Sequence, residues 1–305
     1  MINSEAHLNF KSQTMKFVNR ILIFVLILFF NACKKDRESF PESNPIVYSF
    51  FAAGHTYGKP GVDNIGVHPP FKNKFDLISN DEFMDFGVLT GDIVLEGTNV
   101  NWNEIDSDVA LMGKPVYFAV GNHDMTDRAL YESRYGITYK SFIHKSDLII
   151  ILDPNLDNWN ITGDQLLFLQ NVLNQNSQNV DNIFVFFHQL LWWEPDNIYK
   201  NVTLNSLQGR SDSINFWTEL EPLFSSLSNK VFMFAGDVGA FSSGSEFMYH
   251  AYDNITFVAS GMGSETRDNF VIVDVREDKT VEFRLVALND SNTSALGRLE
   301  DYQLP

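Results

Sequence analysis

Short apolar runs, each followed by glycine or a polar residue, recur along the chain after residue 45. They cover residues 46–53, 86–90, 116–120, 183–187 and 231–235. Runs of this length without regular polar alternation are typical of strands that are buried on both faces. The pattern therefore predicts five buried strands.

Helix-like stretches lie between some of these runs. Residues 162–165 (Thr-Gly-Asp-Gln) form a capping box, and leucine and valine then recur at helical spacing over residues 166–173. Residues 212–227 predict a second helix, which Pro222 would kink or split. More strands are expected at residues 247–252, 256–259, 270–275 and 281–286. The order predicts an α/β fold, a sandwich of two sheets flanked by helices, in one domain over residues 46–290.

Polar side chains with ligand chemistry follow five of the predicted strands. A lone histidine or aspartate at a strand end is often only a cap or turn residue, whereas five clusters at one edge of a sheet indicate a site. Imidazole, carboxylate and amide groups together suit a divalent ion such as Mn, Fe, Zn or Mg. Such an ion would polarise a phosphoryl oxygen and activate a bound water. The residues are His55, Asp92, Asn122, His123, Asp124, His188 and Asp237.

The segments Gly91-Asp92 and Gly121-Asn122-His123-Asp124, followed by His188 after an apolar strand, resemble the signature of the calcineurin-like metallophosphoesterases. The resemblance covers about residues 46–290. It implies a four-layer αββα sandwich of two mixed sheets, with a two-metal centre. By the same resemblance Asp92 bridges two metals, Asn122 and His188 bind the second metal, and His123 is the proton donor or transition-state stabiliser. Asp124 would then orient His123 through a hydrogen bond, and it can at the same time cap the helix that follows it.

Two segments depart from the family pattern. Ala53-Gly54-His55 lacks the opening aspartate, and Gly236-Asp237-Val238-Gly239 lacks both closing histidines. The first metal thus keeps His55 and Asp92, while the second keeps three ligands and can use Asp237 in place of a histidine. We therefore expect an altered centre with one tightly bound divalent ion. His68 and Asp63 are further candidates for the first position, although a surface-loop role for His68 is the alternative.

Composition narrows the partners of this chain. Of its 305 residues 27 are Phe, which predicts a thick apolar core, and its formal net charge is −17. An acidic surface repels phosphate backbones, so no nucleic acid is expected as a partner. Trp192 and Trp193 either wall an organic group of the substrate or pack against a helix. Arg210 meets an anionic group or is solvated, and His144 and His250 are assigned to packing.

The N-terminus resembles a bacterial lipoprotein signal. Lys16 and Arg20 precede an apolar run at residues 21–30, and Ala32 stands before Cys33, the single cysteine of the chain. The run is too short to span a bilayer as a helix. We expect residues 1–32 to be a signal peptide whose start is Met15, with Cys33 lipidated; an ordinary membrane anchor is the alternative. Residues 33–45 form a tether and residues 291–305 a C-terminal tail, and the protein is expected at the periplasmic or outer-membrane surface of a bacterial cell envelope.

Two functions follow from these features. The first is an enzyme, a metal-dependent phosphoric ester hydrolase that acts outside the cytoplasm on a small-molecule or cell-envelope phosphate ester. The alternative is a non-catalytic binding or scaffold lipoprotein that retains the fold. The intact segment 122–124 favours the enzyme, because a scaffold has no need of His123, whereas Ala53 and Gly239 favour the scaffold.

Overall fold

The computed structural model describes residues 44–62, 64–264, 267–289, 296 and 298–302. Cys33, Asp63, the predicted signal peptide, most of the tether and most of the C-terminal tail lie outside these residues. No helix in the described ranges combines the length and the apolar character needed to cross a bilayer.

Eleven strands run through the described residues and form two sheets. In chain order they are β1 (Ile46–Ala53), β2 (Met84–Thr90), β3 (Val116–Ala119), β4 (Lys140–His144), β5 (Asp147–Ile151), β6 (Asn182–Phe186), β7 (Lys230–Ala235), β8 (Phe247–Tyr252), β9 (Ile255–Ser260), β10 (Asn269–Arg276) and β11 (Val281–Ala287). The first sheet has the order β11-β10-β1-β2-β3 and the second β4-β5-β6-β7-β9-β8. Strands β1–β3 are parallel in one sheet, and β5, β6, β7 and β9 are parallel in the other; β10, β11, β4 and β8 pair antiparallel.

Helices cover the outer face of each sheet. They are α1 (Pro69–Lys72), α2 (Phe75–Ser79), α3 (Asn99–Ala110), α4 (Arg128–Tyr135), α5 (Gly163–Asn176) and α6 (Glu221–Ser225). Trp102 of α3 packs into the outer core of the first sheet, and Leu169 of α5 into that of the second. The predicted sandwich of two mixed sheets flanked by helices is confirmed.

Phenylalanine fills the space between the two sheets. The rings of Phe50 and Phe86, from neighbouring strands of the first sheet, stack 5.0 Å apart. Phe184 and Phe186 of β6 meet Phe50 edge to face at 5.0 and 5.8 Å. Such aromatic pairs contribute about 0.5–1.5 kcal/mol beyond the area they bury, so this layer holds the two sheets in a defined position.

Glycines let the two sheets approach closely at the ends of their parallel strands. A Cβ on Gly54, after β1, would lie 2.4 Å from the Cα of Gly236, after β7. A Cβ on Gly236 would lie 2.0 Å from the Thr90 carbonyl oxygen of β2. Any side chain here would force the sheets apart. The close contact joins the strand ends of both sheets into one site.

Two helix predictions need correction. Helix α5 starts at Gly163 after the N-cap Thr162, as expected, but the capping-box hydrogen bonds are not made. The Thr162 hydroxyl donates to Asp157 at 2.6 Å, and Gln165 bonds to the backbone of Asp153. Tertiary partners have replaced the local ones.

The predicted helix over residues 212–227 is shorter than expected. Phe216–Leu220 forms one wide π-helical turn, and α6 follows it directly. Pro222 lies in the first turn of α6, where its missing N–H costs nothing, so it starts a helix rather than kinking one. The predicted strand ranges also lacked β4 and β5, which pair with each other across a tight turn at Lys145.

Candidate metal centre

Three buried side chains from both sheets meet at the strand ends. Ligand atoms of Asp92, His188 and Asp237 all lie within 4.8 Å of one another. His188 Nε2 is 3.3 Å from Asp92 Oδ2 and 3.7 Å from Asp237 Oδ1. Asp92 follows β2 of the first sheet, whereas His188 and Asp237 follow β6 and β7 of the second. The structure thus brings together three of the predicted metal ligands.

Three ligand atoms of this cluster lack a hydrogen-bond partner within the described residues. His188 Nε2 and both carboxylate oxygens of Asp237 are buried without a hydrogen bond, the contact of His188 with Asp92 being poorly aligned. The Ser206 amide favours the Asp237 carboxylate only weakly, from outside hydrogen-bond geometry. Burying an unpaired carboxylate is costly. A cation bound between these atoms would remove that cost, so the donor set fits a divalent ion.

Backbone carbonyls fix the orientation of three imidazole rings. The Nδ1 atoms of His188, His55 and His123 lie 2.9, 3.0 and 2.7 Å from the carbonyl oxygens of Thr90, Met262 and Leu95. A carbonyl only accepts hydrogen bonds, so each Nδ1 carries a hydrogen and each Nε2 is left for another partner. Metal-binding histidines are held in this way.

His55 and Asp92 are the predicted ligands that remain at the first metal position. His55 Nε2 lies 3.7 Å from Asp92 Oδ2. Both residues have positive φ, 54° and 51°, which is uncommon outside glycine and typical of functional sites. Ala53 is buried in the core. Gly239 has a φ of 81°, and a Cβ there would lie 2.6 Å from the Gly261 carbonyl carbon, so the backbone leaves no room for a side chain.

The loop after β3 lies against the cluster. A Cβ on Gly121 would lie 2.3 Å from Asp92 Oδ1 and 2.9 Å from His188 Cδ2. The backbone N–H of His123 donates to Asp92 Oδ1 at 3.2 Å. Asn122 stands between these two contacts, and its side chain makes no hydrogen bond to any described residue. Asn122 and His123 are therefore held beside Asp92, where sequence analysis expected them.

The prediction that Asp124 orients His123 is wrong. Its Oδ1 accepts hydrogen bonds from the amides of Ile93 and Val94, and its Oδ2 from the amide of Gly121 at 2.7 Å. The Leu95 carbonyl orients His123 instead. Asp124 fastens the loop after β2 to the loop after β3, because its carboxylate is buried between them.

The helix-cap role proposed for Asp124 belongs to another residue. Asp127 caps α4, and its carboxylate accepts a hydrogen bond from the Leu130 amide at 2.9 Å. The N-cap of α4 is therefore Asp127 and not Asp124.

Burial and neighbouring charges shift the pKa values of the cluster in opposite directions. Burial disfavours the His188 cation, but Asp92 and then Asp237 outweigh it and raise the pKa of His188 to about 10. Burial lowers the pKa of His55 to about 4. Burial, and then the charge of Asp92, raise the pKa of Asp237 well above its ordinary value. Burial opposes the charged form of Asp92 as well, yet His188 and His55 hold its pKa below its usual range.

Sequence analysis missed Tyr57, which lies in the centre. Its ring centroid is 4.3 Å from that of His55 and 5.0 Å from that of His123. Its backbone amide donates to the Asp92 carbonyl at 3.1 Å. Burial raises the pKa of Tyr57, and so do the carboxylates of Asp92 and Asp237. Its place two residues after His55 was the one available signal, since a strand-end loop carries its neighbours into the same site.

The further histidines are engaged elsewhere. His68 is buried, precedes α1 and lies 3.2 Å from Asp268 through its Nε2, so the surface-loop interpretation is wrong and its partner is a carboxylate. His144 packs on Tyr48 at 4.7 Å, and His250 accepts from or donates to the Tyr199 hydroxyl at 2.8 Å. Both packing assignments agree with these contacts.

The two tryptophans and the arginine after His188 form their own cluster. Trp192 is fully buried and stacks on Phe257 at 4.7 Å, as the packing interpretation expects. The guanidinium of Arg210 lies 5.5 Å from the ring of Trp193 and 2.5 Å from Glu194. Arg210 is therefore neither solvated nor free for a substrate anion.

Comparison with known proteins agrees with this architecture. Residues 63–216 match the calcineurin-like phosphoesterase family, a range that includes Asp92, residues 122–124 and His188. A dimetal phosphatase from Danio rerio superposes with a TM-score of 0.57 at 13% identity, covering 80% of this chain and 97% of that one. A purple acid phosphatase from yellow lupin (Lupinus luteus) seeds gives 0.56 at 13% identity, over 82% of this chain and 53% of that one.

These likenesses differ in what they establish. At 13% identity the solved structures share the fold with this chain, which spans about half the length of the lupin enzyme. No curated protein sequence matches significantly. The family match extends over half of the chain and includes Asp92 and His188, two of the three residues that meet at the strand ends. The chain belongs to the calcineurin-like phosphoesterase family.

Proposed function

We propose that this metal-dependent phosphoester hydrolase works with a single tightly held divalent ion. The observation that carries the proposal is the cluster of Asp92, His188 and Asp237, whose ligand atoms lie within 4.8 Å of one another. Two of these residues have buried ligand atoms without a protein partner. Asn122 stands beside Asp92 and is the fourth expected ligand. The first position offers His55 and Asp92, and two protein ligands leave a dication mostly hydrated and weakly held.

His123 and Asp124 have separate roles beside that ion. When bound, it supplies Lewis-acid polarisation of a phosphoryl oxygen and a lower pKa for a water molecule. His123 has its Nδ1 engaged by the Leu95 carbonyl, so its Nε2 is the atom that exchanges a proton with substrate. Asp124 holds the loops that carry Asp92 and His123 in register through three amide hydrogen bonds.

The substrate proposed is a small-molecule or cell-envelope phosphate ester. Two solved structures with the same fold are phosphatases by name, which favours a phosphomonoester as the first class to test. The net charge of −17 disfavours long polyanions, because they would be repelled by most of the surface. A small ester presents only one phosphoryl group and avoids most of that repulsion.

Metal analysis together with hydrolysis tests this proposal. The purified chain should contain close to one ion, and its hydrolysis of a panel of phosphate esters should vanish with a chelator and return with Mn²⁺, Fe²⁺ or Zn²⁺. His188→Ala should remove both metal and activity. His144→Ala is the matched control, since its imidazole bonds to Asp85 outside the centre. Two tightly bound ions in the wild type would contradict the single-ion centre.

The scaffold function has one specific observation in its favour. Ala53 is buried and offers no ligand atom, and the backbone at Gly239 is closed to side chains, so two ligands of the first metal are absent. A scaffold would fold and bind an envelope component without turnover. A metal-loaded wild type that hydrolyses no ester in the panel would establish this alternative and remove the enzyme.

We also propose that the protein acts outside the cytoplasm, anchored through a lipid on Cys33. Support comes from the basic residues, the short apolar run and the small residue that precede the single cysteine. Growth with a clickable fatty acid should label the wild type, and Cys33→Ser should abolish the label. A label that persists in Cys33→Ser would exclude this anchor.

A further inference from the structure

Tyr57 stands between two histidines of the metal centre without an assigned role. Its ring contacts His55 on one side and His123 on the other, with centroids 4.3 and 5.0 Å away. The residue is 2% exposed, so the packing of the loop after β1 fixes its position. A tyrosine held this tightly costs little further entropy when it meets a ligand.

The Tyr57 hydroxyl is free although its ring is buried. It forms no hydrogen bond with any residue that the structure describes, and 2% of the residue is exposed. The buried tyrosines Tyr48 and Tyr199 differ, because their hydroxyls bond to Asp147 and His250. A buried phenol ordinarily finds a partner. The hydroxyl of Tyr57 therefore has a donor to offer to a molecule that enters the centre.

The ring contacts place Tyr57 beside the centre, between His55 and His123. Its ring covers His55, which belongs to the first metal position, where Ala53 and Gly239 contribute no ligand. A phosphoryl group at the cluster carries negative charge on several oxygens. The first metal position, beside His55, offers these oxygens fewer cationic partners. A neutral hydroxyl donor on this side would compensate part of the missing positive charge.

We propose that Tyr57 is a further catalytic residue, whose hydroxyl donates a hydrogen bond to a non-bridging oxygen of the phosphoryl group bound at Asp92, His188 and Asp237. The proposal rests on the proposed hydrolase function. No bond to Tyr57 forms or breaks, because it binds and stabilises the phosphoryl oxygens as charge develops on them.

Tyr57→Phe tests this role because it removes the hydroxyl alone and keeps the ring between the two imidazoles. Since no described residue loses a hydrogen-bond partner, the variant should melt within a few degrees of the wild type. A hydrogen bond to a charged oxygen is worth about one to two orders of magnitude. We expect kcat to fall roughly tenfold to a hundredfold, with a smaller change in KM and unchanged metal content. The affinity of the metal-loaded protein for inorganic phosphate, measured by calorimetry, should fall about tenfold.

Tyr199→Phe is the matched control. It removes a hydroxyl from an equally buried tyrosine, whose partner is His250 and not the centre. Its kcat and phosphate affinity should equal those of the wild type.

The outcomes separate this inference from the function on which it rests. Tyr57→Phe with wild-type kcat and wild-type phosphate affinity would overturn the role of Tyr57 while the hydrolase stands. A wild type that hydrolyses no ester would overturn the proposed function, and phosphate calorimetry would then decide on Tyr57 alone. A wild type that binds no phosphate would overturn both.

Discussion

Replacing Asp237 with asparagine should raise the stability of the metal-free protein and abolish its stabilisation by metal. Both oxygens of Asp237 are buried without a hydrogen bond in the described part of the chain, and burial raises its pKa. An unsatisfied buried group costs about 1–3 kcal/mol, and more when it is charged. The neutral amide keeps the shape and part of the unsatisfied polarity, so the expected gain is about 1–2 kcal/mol.

Thermal melting measures both effects. A change of 1 kcal/mol shifts the melting temperature of a domain of this size by about 2–4 °C. Chelator-treated Asp237→Asn should therefore melt roughly 2–8 °C above the chelator-treated wild type. Metal at a hundred times its Kd adds about 2.7 kcal/mol to the wild type. The variant should lose most of that increment, because one of three clustered ligands has lost its charge.

Asp147→Asn is the matched control for this experiment. Asp147 and Asp237 are equally buried. The carboxylate of Asp147, however, accepts hydrogen bonds from the Tyr48 hydroxyl and from the backbone and side chain of Asn182. Its replacement should destabilise the protein by about 1–3 kcal/mol with or without metal. If Asp237→Asn instead melts below the wild type without metal and is still stabilised by metal, then Asp237 neither destabilises the metal-free protein nor binds the metal.

Three further results follow from the centre. His123→Ala should lower kcat by about two to four orders of magnitude at constant metal content, as measured by steady-state kinetics and elemental analysis, because the proton-exchanging Nε2 is lost. Asp124→Asn should destabilise the protein by about 1–3 kcal/mol in chemical denaturation. Both carboxylate oxygens of Asp124 accept hydrogen bonds from backbone amides, and the side-chain nitrogen of asparagine cannot accept one. Metal affinity should rise with pH by at least about tenfold per unit between about pH 6 and 8, because the ion must displace the proton of His188, whose pKa is raised to about 10; a pH-independent Kd would contradict this.

The fold could be predicted from the sequence because its central strands are buried on both faces. Unalternated apolar runs such as residues 183–187, short and closed by a polar residue, are typical of such strands, and the structure places strand β6 within one residue of this run. Strand β5 was missed, although Asp147–Ile151 is fully buried and its apolar run ends on Asp153 in the same way as the runs that were recognised. The helix over residues 212–227 was overextended because local periodicity carries no information on where tertiary packing ends a helix.

The sequence predicts which residues form the centre better than it predicts their hydrogen-bond partners. His188, Asp92 and Asp237 follow strands whose carboxyl ends must meet, so sequence alone brings them together. The partner of Asp124 could not be inferred, because three backbone amides compete for it and backbone donors leave no trace in the sequence. Tyr57 was missed for a related reason: an aromatic residue after a strand has the same pattern whether it packs in a core or faces a ligand.

At Gly239 the alteration that we propose for the first metal position is a property of the backbone and not of a point substitution alone. The space beside Gly239 is taken by Gly261 and the Met262 amide, at 2.6 and 3.0 Å from an added Cβ. The Met262 carbonyl in the same segment orients His55 through its Nδ1. A histidine at position 239 would therefore displace the segment that holds the remaining ligand of the first metal. Restoring one ligand by substitution would cost the orientation of another, so the second position is the one that this backbone can preorganise for a cation.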